Sequence, residues 1–189
     1  ATARSLVPEL PEEVRDLLRE LDVAGKRSGG LLAAAGTLPA GTQENVRLSV
    51  LSILLRACGL PTQYPQAQFH LWLEERGLLA QVKCAVETAG KTWTQELNNL
   101  YVSPLIAKAL RAADPEFATS DAAARELLKT QFPLRTTDLT TEEFLAMFKR
   151  LLRRAGKDGQ LPCTLLILDE TQQYIGDSET RSVLITEIA

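Results

Sequence analysis

Asp169 and Glu170 are the residues of this sequence best placed to do chemistry. They follow Leu165-Leu166-Ile167-Leu168, and an apolar run closed by two carboxylates is the Walker B pattern. A carboxylate at the C-terminal end of a buried parallel strand is held rigidly beside a nucleotide crevice, where it can hold Mg²⁺ through water. A glutamate next to it can polarise the water that attacks a γ-phosphate. Asp169 is therefore the candidate cofactor and metal residue, and Glu170 the candidate catalytic one. The competing reading is that a strand simply ends in acidic turn residues, and the pattern alone does not separate the two.

Other residues offer weaker chemistry. Gly90-Lys91-Thr92 looks like the tail of a Walker A loop, but the position that must hold its first glycine is Ala85. The segment before it is helically periodic where the motif needs a strand. Gly90 reads instead as a helix terminator, which leaves the chain without a phosphate-binding loop. Lys149, Arg150, Arg153, Arg154 and Lys157 crowd one helix end, where positive charge interacts favourably with the macrodipole. A DNA or partner-protein contact is the alternative use of that cluster. His70 is the single histidine, flanked by Phe69 and Trp72, and reads as a packing or surface residue. Cys58, Cys84 and Cys163 are odd in number and lie in no metal-binding pattern, so they are expected to be reduced thiols of a cytoplasmic chain.

The elements that must position Asp169 and Glu170 are few. Cys163 to Leu168 is a continuous apolar stretch after the polar break Gly156-Lys157-Asp158-Gly159-Gln160. It predicts a strand buried on both faces, hence a parallel sheet. A single strand cannot satisfy its own backbone, so its partners must lie outside the chain or in segments that do not read as strands. The rest predicts helices. Val14, Leu17, Leu18 and Leu21 are helically spaced over 12–23, ahead of a break at Gly25 to Gly30. Asn45 to Ala57 is apolar nearly all round and stops at Gly59-Leu60-Pro61. Further helices are expected from Pro65 to Gly77, over 78–89, 93–101 and 104–113, after a Ser120 cap, and from Thr140 or Thr141 to Gly156.

Composition sets the class. The chain has 189 residues, 45% hydrophobic and 24% charged, with a formal net charge of −3. That is globular, and it argues against a surface built mainly to hold nucleic acid or anionic lipid. Val46 to Leu60 is the most apolar stretch, yet it contains Arg47 and Arg56 and is too short to span a bilayer. The first residues, with Arg4, Pro8 and Pro11, do not form a signal peptide. The sequence stops at Glu187-Ile188-Ala189 within a helical pattern that no Gly, Asn or Pro closes, which suggests a truncated domain.

Several blocks carry a family resemblance: 14–27, Gly29-Gly-Leu-Leu-Ala-Ala-Ala-Gly-Thr-Leu38, Trp72-Leu73, Ala89-Gly-Lys91, 96–102 and, most specific, Leu165-Leu-Ile-Leu-Asp-Glu-Thr-Gln-Gln-Tyr-Ile-Gly176. The sequence resembles the P-loop ATPases of BREX bacteriophage-exclusion systems, of the PglY/BrxC type. The resemblance implies a fragment of a large cytoplasmic ATPase that uses ATP and Mg²⁺ and works with phage-defence partners such as a DNA methyltransferase. It also allows an oligomer, and no membrane. Asp169 then matches the Mg²⁺-site acid and Glu170 the catalytic acid, while Thr171 replaces an expected aliphatic residue. The implied fold is mainly α with a small α/β element. Residues 1–156 form a helical module inserted between Walker A and Walker B, and 157–189 supply the Walker B strand and following helix of an AAA+-like sheet. Without Walker A, this piece alone is expected to be inactive. The contrasting reading is a non-enzymatic helical module that contacts protein or DNA, in which Asp169 and Glu170 merely end a strand.

Overall fold

A computed structural model describes residues 10–38, 45–135 and 137–188. In chain order the elements are α1 Glu12–Arg27, β1 Leu31–Thr37, α2 Val46–Ala57, α3 Tyr64–Glu75, α4 Leu79–Thr88 and α5 Trp93–Asn98. They continue with α6 Pro104–Ala113, α7 Asp121–Gln131, α8 Thr141–Ala155, β2 Cys163–Asp169, α9 Thr171–Ile175 and α10 Glu179–Ile188. The described residues are mainly helical with a small two-stranded parallel sheet, as expected. It divides into two compact units, one of Ala1–Cys58 with Leu139–Ala189 and one of Gly59–Asp138. These units run across the sequence division at residue 156.

The first unit is built on the sheet. β1 and β2 pair in parallel, from Leu31 opposite Cys163 to Thr37 opposite Asp169. The partner strand is thus within the chain, in a segment that does not read as a strand. Alanine and glycine fill its centre, and neither favours strand conformation. Two features set its start. α1 runs through Gly25 to Arg27, beyond the expected break. The Ser28 hydroxyl then accepts from the Cys163 N–H at 3.0 Å, and the Gly29 N–H donates to the Leu161 carbonyl at 2.9 Å. Gly29 is required there, since a methyl group on it would lie 2.1 Å from the Gln160 carbonyl oxygen.

β1 is buried on one face and exposed on the other, and no residue of β2 is fully buried. Leu32 and Ala34 are buried on the face that α2 packs against. On the opposite face Leu31 is 47% and Ile167 53% exposed. The expectation that β2 is buried on both faces therefore fails among the described residues. The apolar run is real, but the layer that would cover its second face is not among them. α2 buries Val46, Val50, Leu51, Ile53, Leu54 and Leu55. α8 enters through a capping box in which Thr140 and Glu143 satisfy each other's backbone N–H groups at 3.2 and 3.0 Å. Phe144, Met147 and Leu151 form its buried stripe.

The second unit is helical. Phe69, Leu73, Val82, Val86, Ile106, Leu110 and Leu128 lie in one core. Phe69 and Phe132 meet edge to face at 5.5 Å between centroids. Ser103 and Ser120 cap α6 and α7 through their hydroxyls, as small hydroxyl residues do at helix starts. No helix among the described residues is long and apolar enough to cross a membrane.

Candidate functional site

The C-terminal ends of β1 and β2 finish side by side. Thr37 stands opposite Asp169, and the Leu38 N–H donates to the Asp169 carbonyl at 3.1 Å. A parallel pair makes this outcome necessary, because both strands deliver their last residues to the same edge. Asp169 and Glu170 are both exposed there. Sequence reasoning missed Thr37 as their neighbour; the signal available was the glycine-flanked apolar segment 29–38, whose alanines disguised a strand.

The turn after β2 is sharply defined. Glu170 adopts a left-handed conformation with φ of 56°, a region that costs an L-residue other than glycine roughly 1–2 kcal/mol. The Asp169 Oδ1 accepts from the Glu170 N–H at 2.8 Å. The Thr171 hydroxyl donates to the Leu168 carbonyl at 3.2 Å, so the residue that replaces an expected aliphatic one closes the strand-to-helix turn. The Tyr174 N–H donates to the Glu170 carbonyl at 3.0 Å. Tyr174 itself is 1% exposed and anchors α9. The Arg181 guanidinium lies 5.3 Å from its ring centroid and donates to its carbonyl at 2.9 Å. Gln172 and Gln173 face solvent.

The geometry separates the two carboxylates. Asp169 uses Oδ1 within the turn, and no described residue bonds Oδ2. The Glu170 carboxylate has no hydrogen bond or ion pair with a described residue. Among the described residues no group of three or more His, Cys, Asp or Glu side chains converges anywhere. A single carboxylate oxygen does not hold a metal ion by itself, and Mg²⁺ there would need waters and substrate phosphates to complete its shell.

The remaining candidates lie elsewhere. Gly90 ends α4 with φ of 78°, and the Thr92 hydroxyl caps α5 by accepting from the Gln95 N–H at 3.3 Å. In the basic cluster, Arg153 and Arg154 occupy the last turn of α8, and Arg154 donates to the Cys58 carbonyl at 3.0 Å. His70 belongs to the other unit; its Nδ1 accepts from the Trp93 indole at 3.4 Å, and its Nε2 lies 3.6 Å from Glu74. The three cysteines are free thiols. Burial raises the Cys58 thiol above its ordinary value, with Arg154 acting in the opposite sense.

Comparison with family models, with curated proteins and with solved structures finds no match to this chain.

Proposed function

We propose that this chain is part of a P-loop ATPase of the BREX phage-defence type, in which Asp169 is the Mg²⁺-site acid and Glu170 the catalytic acid. The observation that carries the reading is Glu170. It is an exposed glutamate in a left-handed turn where glycine would be easier, directly after a parallel strand and with its carboxylate uncommitted. Strained backbone that the surroundings over-determine clusters at functional sites. The half-exposed apolar face of β1 and β2 further supports a larger sheet of the α/β kind, which carries cover on both faces. ATP and Mg²⁺ are the proposed cofactors. The phosphate cradle would come from outside this sequence, and phage-defence proteins such as a DNA methyltransferase would be the partners.

In this reading each residue has its own task. Asp169 would hold a water of the Mg²⁺ shell through its uncommitted oxygen, and the metal would supply positive charge against the phosphates. Glu170 orients a water and accepts its proton. Thr171 and Tyr174 bond backbone carbonyls of Leu168 and Glu170 and so hold the turn that carries Glu170.

The test is made in the parent protein. Glu170→Gln preserves size and polarity but not basicity, so ATP should still bind while turnover falls by about two orders of magnitude or more. Asp169→Asn should weaken Mg²⁺-dependent nucleotide binding as well as turnover. If both variants hydrolyse ATP within about twofold of the parent rate, against the losses expected from general-base removal, the carboxylates only end a strand and the helical interaction module is the better account.

A further inference from the structure

Three helices of the first unit end together at the edge of the sheet opposite Asp169 and Glu170. The Gln160 carbonyl, in the loop that leads into β2, packs against the chain just after α1 and just after α8. A methyl group on Gly29 or on Gly156 would lie 2.1 Å from its oxygen in either case. The end of α2 joins them, because Arg154 in the last turn of α8 donates to the Cys58 carbonyl at 3.0 Å. β1 and β2 both start at this edge, with Leu31 opposite Cys163.

Each of the three ends carries exposed cations. Arg27 closes α1 and Arg56 lies in the last turn of α2. Lys149 and Arg153 share one face of α8 at four-residue spacing, and Lys157 follows that helix. All five are exposed, and none makes an ion pair with a described residue. Asp22 does not neutralise them, since it pairs with Lys26 at 2.5 Å. Cations favour helix C-termini, but each such end carries only about half a negative charge. Three ends together with Asp158 therefore balance about half of the five positive charges. The macrodipole accounts for part of the cluster and leaves a surplus.

The surplus points to a kind of partner. Cations spread over three helix ends suit a ligand whose negative charges are themselves spaced along a surface, as the phosphates of a duplex are. Segments 26–30, 56–58 and 149–161 contain no Phe, Trp or Tyr on which unpaired bases could stack, which disfavours a single strand. The chain's net charge of −3 does not oppose such a contact locally. Asp169 and Glu170 stand at the far end of the strands, roughly 20 Å away at about 3.3 Å per residue. Exposed charges are largely screened beyond about 8 Å at physiological salt.

We propose that this end of the first unit binds the phosphate backbone of duplex DNA without reading its sequence. Arg27, Arg56, Lys149, Arg153 and Lys157 contact phosphates, and release of the duplex's counterions supplies the affinity. The surface shares no residue with the Asp169–Glu170 end, so its test and the ATPase test fail separately.

The experiment is fluorescence anisotropy of a labelled duplex of about 20 base pairs, titrated with the full 189-residue chain at several salt concentrations. Binding should be saturable at low salt, and the logarithm of its constant should fall against log salt with a slope of about −4 to −5, as five neutralised phosphates give. Arg27→Gln, Arg56→Gln and Arg153→Gln, one on each helix end, should each reduce that slope by about one. All three side chains are exposed, so the far-UV circular dichroism should not change; if one variant does not fold, the other two decide the matter. Lys108→Gln, an exposed cation of the helical unit Gly59–Asp138, should leave the slope as it is. The absence of duplex binding at low salt, a slope unmoved by the three arginine variants, or an equal change in Lys108→Gln each overturns the proposal. So does equally tight binding of polyglutamate or of phosphatidylserine vesicles, which would assign the surface to an acidic protein or to a membrane.

Discussion

The contact between Gly36 and Ile53 offers a direct test of how β1 and α2 are joined. Gly36 lies on the covered face of β1, and a methyl group placed on it would sit 2.6 Å from Ile53 Cγ1 and 2.9 Å from Cδ1. Carbon atoms pack at about 3.5–4.0 Å, so Gly36→Ala forces α2 outward or Ile53 off its rotamer. Ile53 is 5% exposed and β-branched, with little freedom to move. Overpacking of this kind costs about 1–3 kcal/mol. Ile53→Ala opens a cavity beside the same glycine and costs about 2–5 kcal/mol alone. In the double variant the added methyl occupies part of that cavity, so the two losses should not add. A coupling of about 1–3 kcal/mol is expected, in the range seen for residues in contact. Urea unfolding followed by far-UV circular dichroism reads all four corners of the cycle. Trp72 and Trp93 both lie in the other unit, so their fluorescence follows that unit separately. Additivity within about 0.5 kcal/mol, the behaviour of independent sites, refutes the packing of α2 on β1 described here.

Two more predictions follow from single side chains. Glu170→Gly removes a left-handed cost of about 1–2 kcal/mol and gives back about 0.5–1 kcal/mol of unfolded-chain entropy; its urea midpoint should equal or exceed that of the parent chain, and a clearly lower one contradicts the claim that the side chain is held against conformational preference. Burial raises the Tyr101 phenol above its ordinary 10.0, and its hydroxyl donates to the Phe132 carbonyl. The folded state therefore ionises after the unfolded one, and the stabilisation is complete below about pH 10 and lost as pH rises through the raised value. Tyr101→Phe should flatten that alkaline decline in tryptophan fluorescence, and parallel declines in both proteins would falsify the assignment.

The helices were legible because their signals are local. Gly59, Gly77 and Gly90 all take left-handed conformations at helix ends, with φ of 69°, 70° and 78°. Ser120 and Thr140 cap the helices they precede, since a hydroxyl needs only the next three residues to do so. β2 was legible from its unbroken apolar run. β1 was not, because its strand character depends on a neighbour more than 130 residues away in sequence: the Ser28 hydroxyl meets the Cys163 N–H across that interval. Alanine-rich segments become strands when a partner's backbone is available, and single-sequence patterns do not show the partner. The same non-local origin hid the uneven burial of β2. Leu166 and Ile167 are equally apolar as letters, but Leu166 is half-buried and Ile167 is exposed. At the end of β2 the order of the carboxylates could be read, whereas the left-handed turn at Glu170 could not, since nothing in Asp-Glu-Thr asks for positive φ.

That turn also decides which substitution speaks most clearly about chemistry. Asp169 is bound into it, with Oδ1 accepting from the N–H of the next residue at 2.8 Å. A hydrogen bond to an ionised acceptor is about twice as strong as one between neutral groups. Asp169→Asn therefore removes negative charge from the strand end and weakens the contact that shapes the turn, and lost activity in that variant has two causes. Glu170 is different. Its backbone does the structural work, through its N–H and its carbonyl to Tyr174, and its carboxylate makes no hydrogen bond or ion pair with a described residue. Glu170→Gln leaves both backbone bonds in place and changes only what the side chain presents to solvent. A fall in turnover with unchanged nucleotide affinity in that variant is attributable to the carboxylate itself.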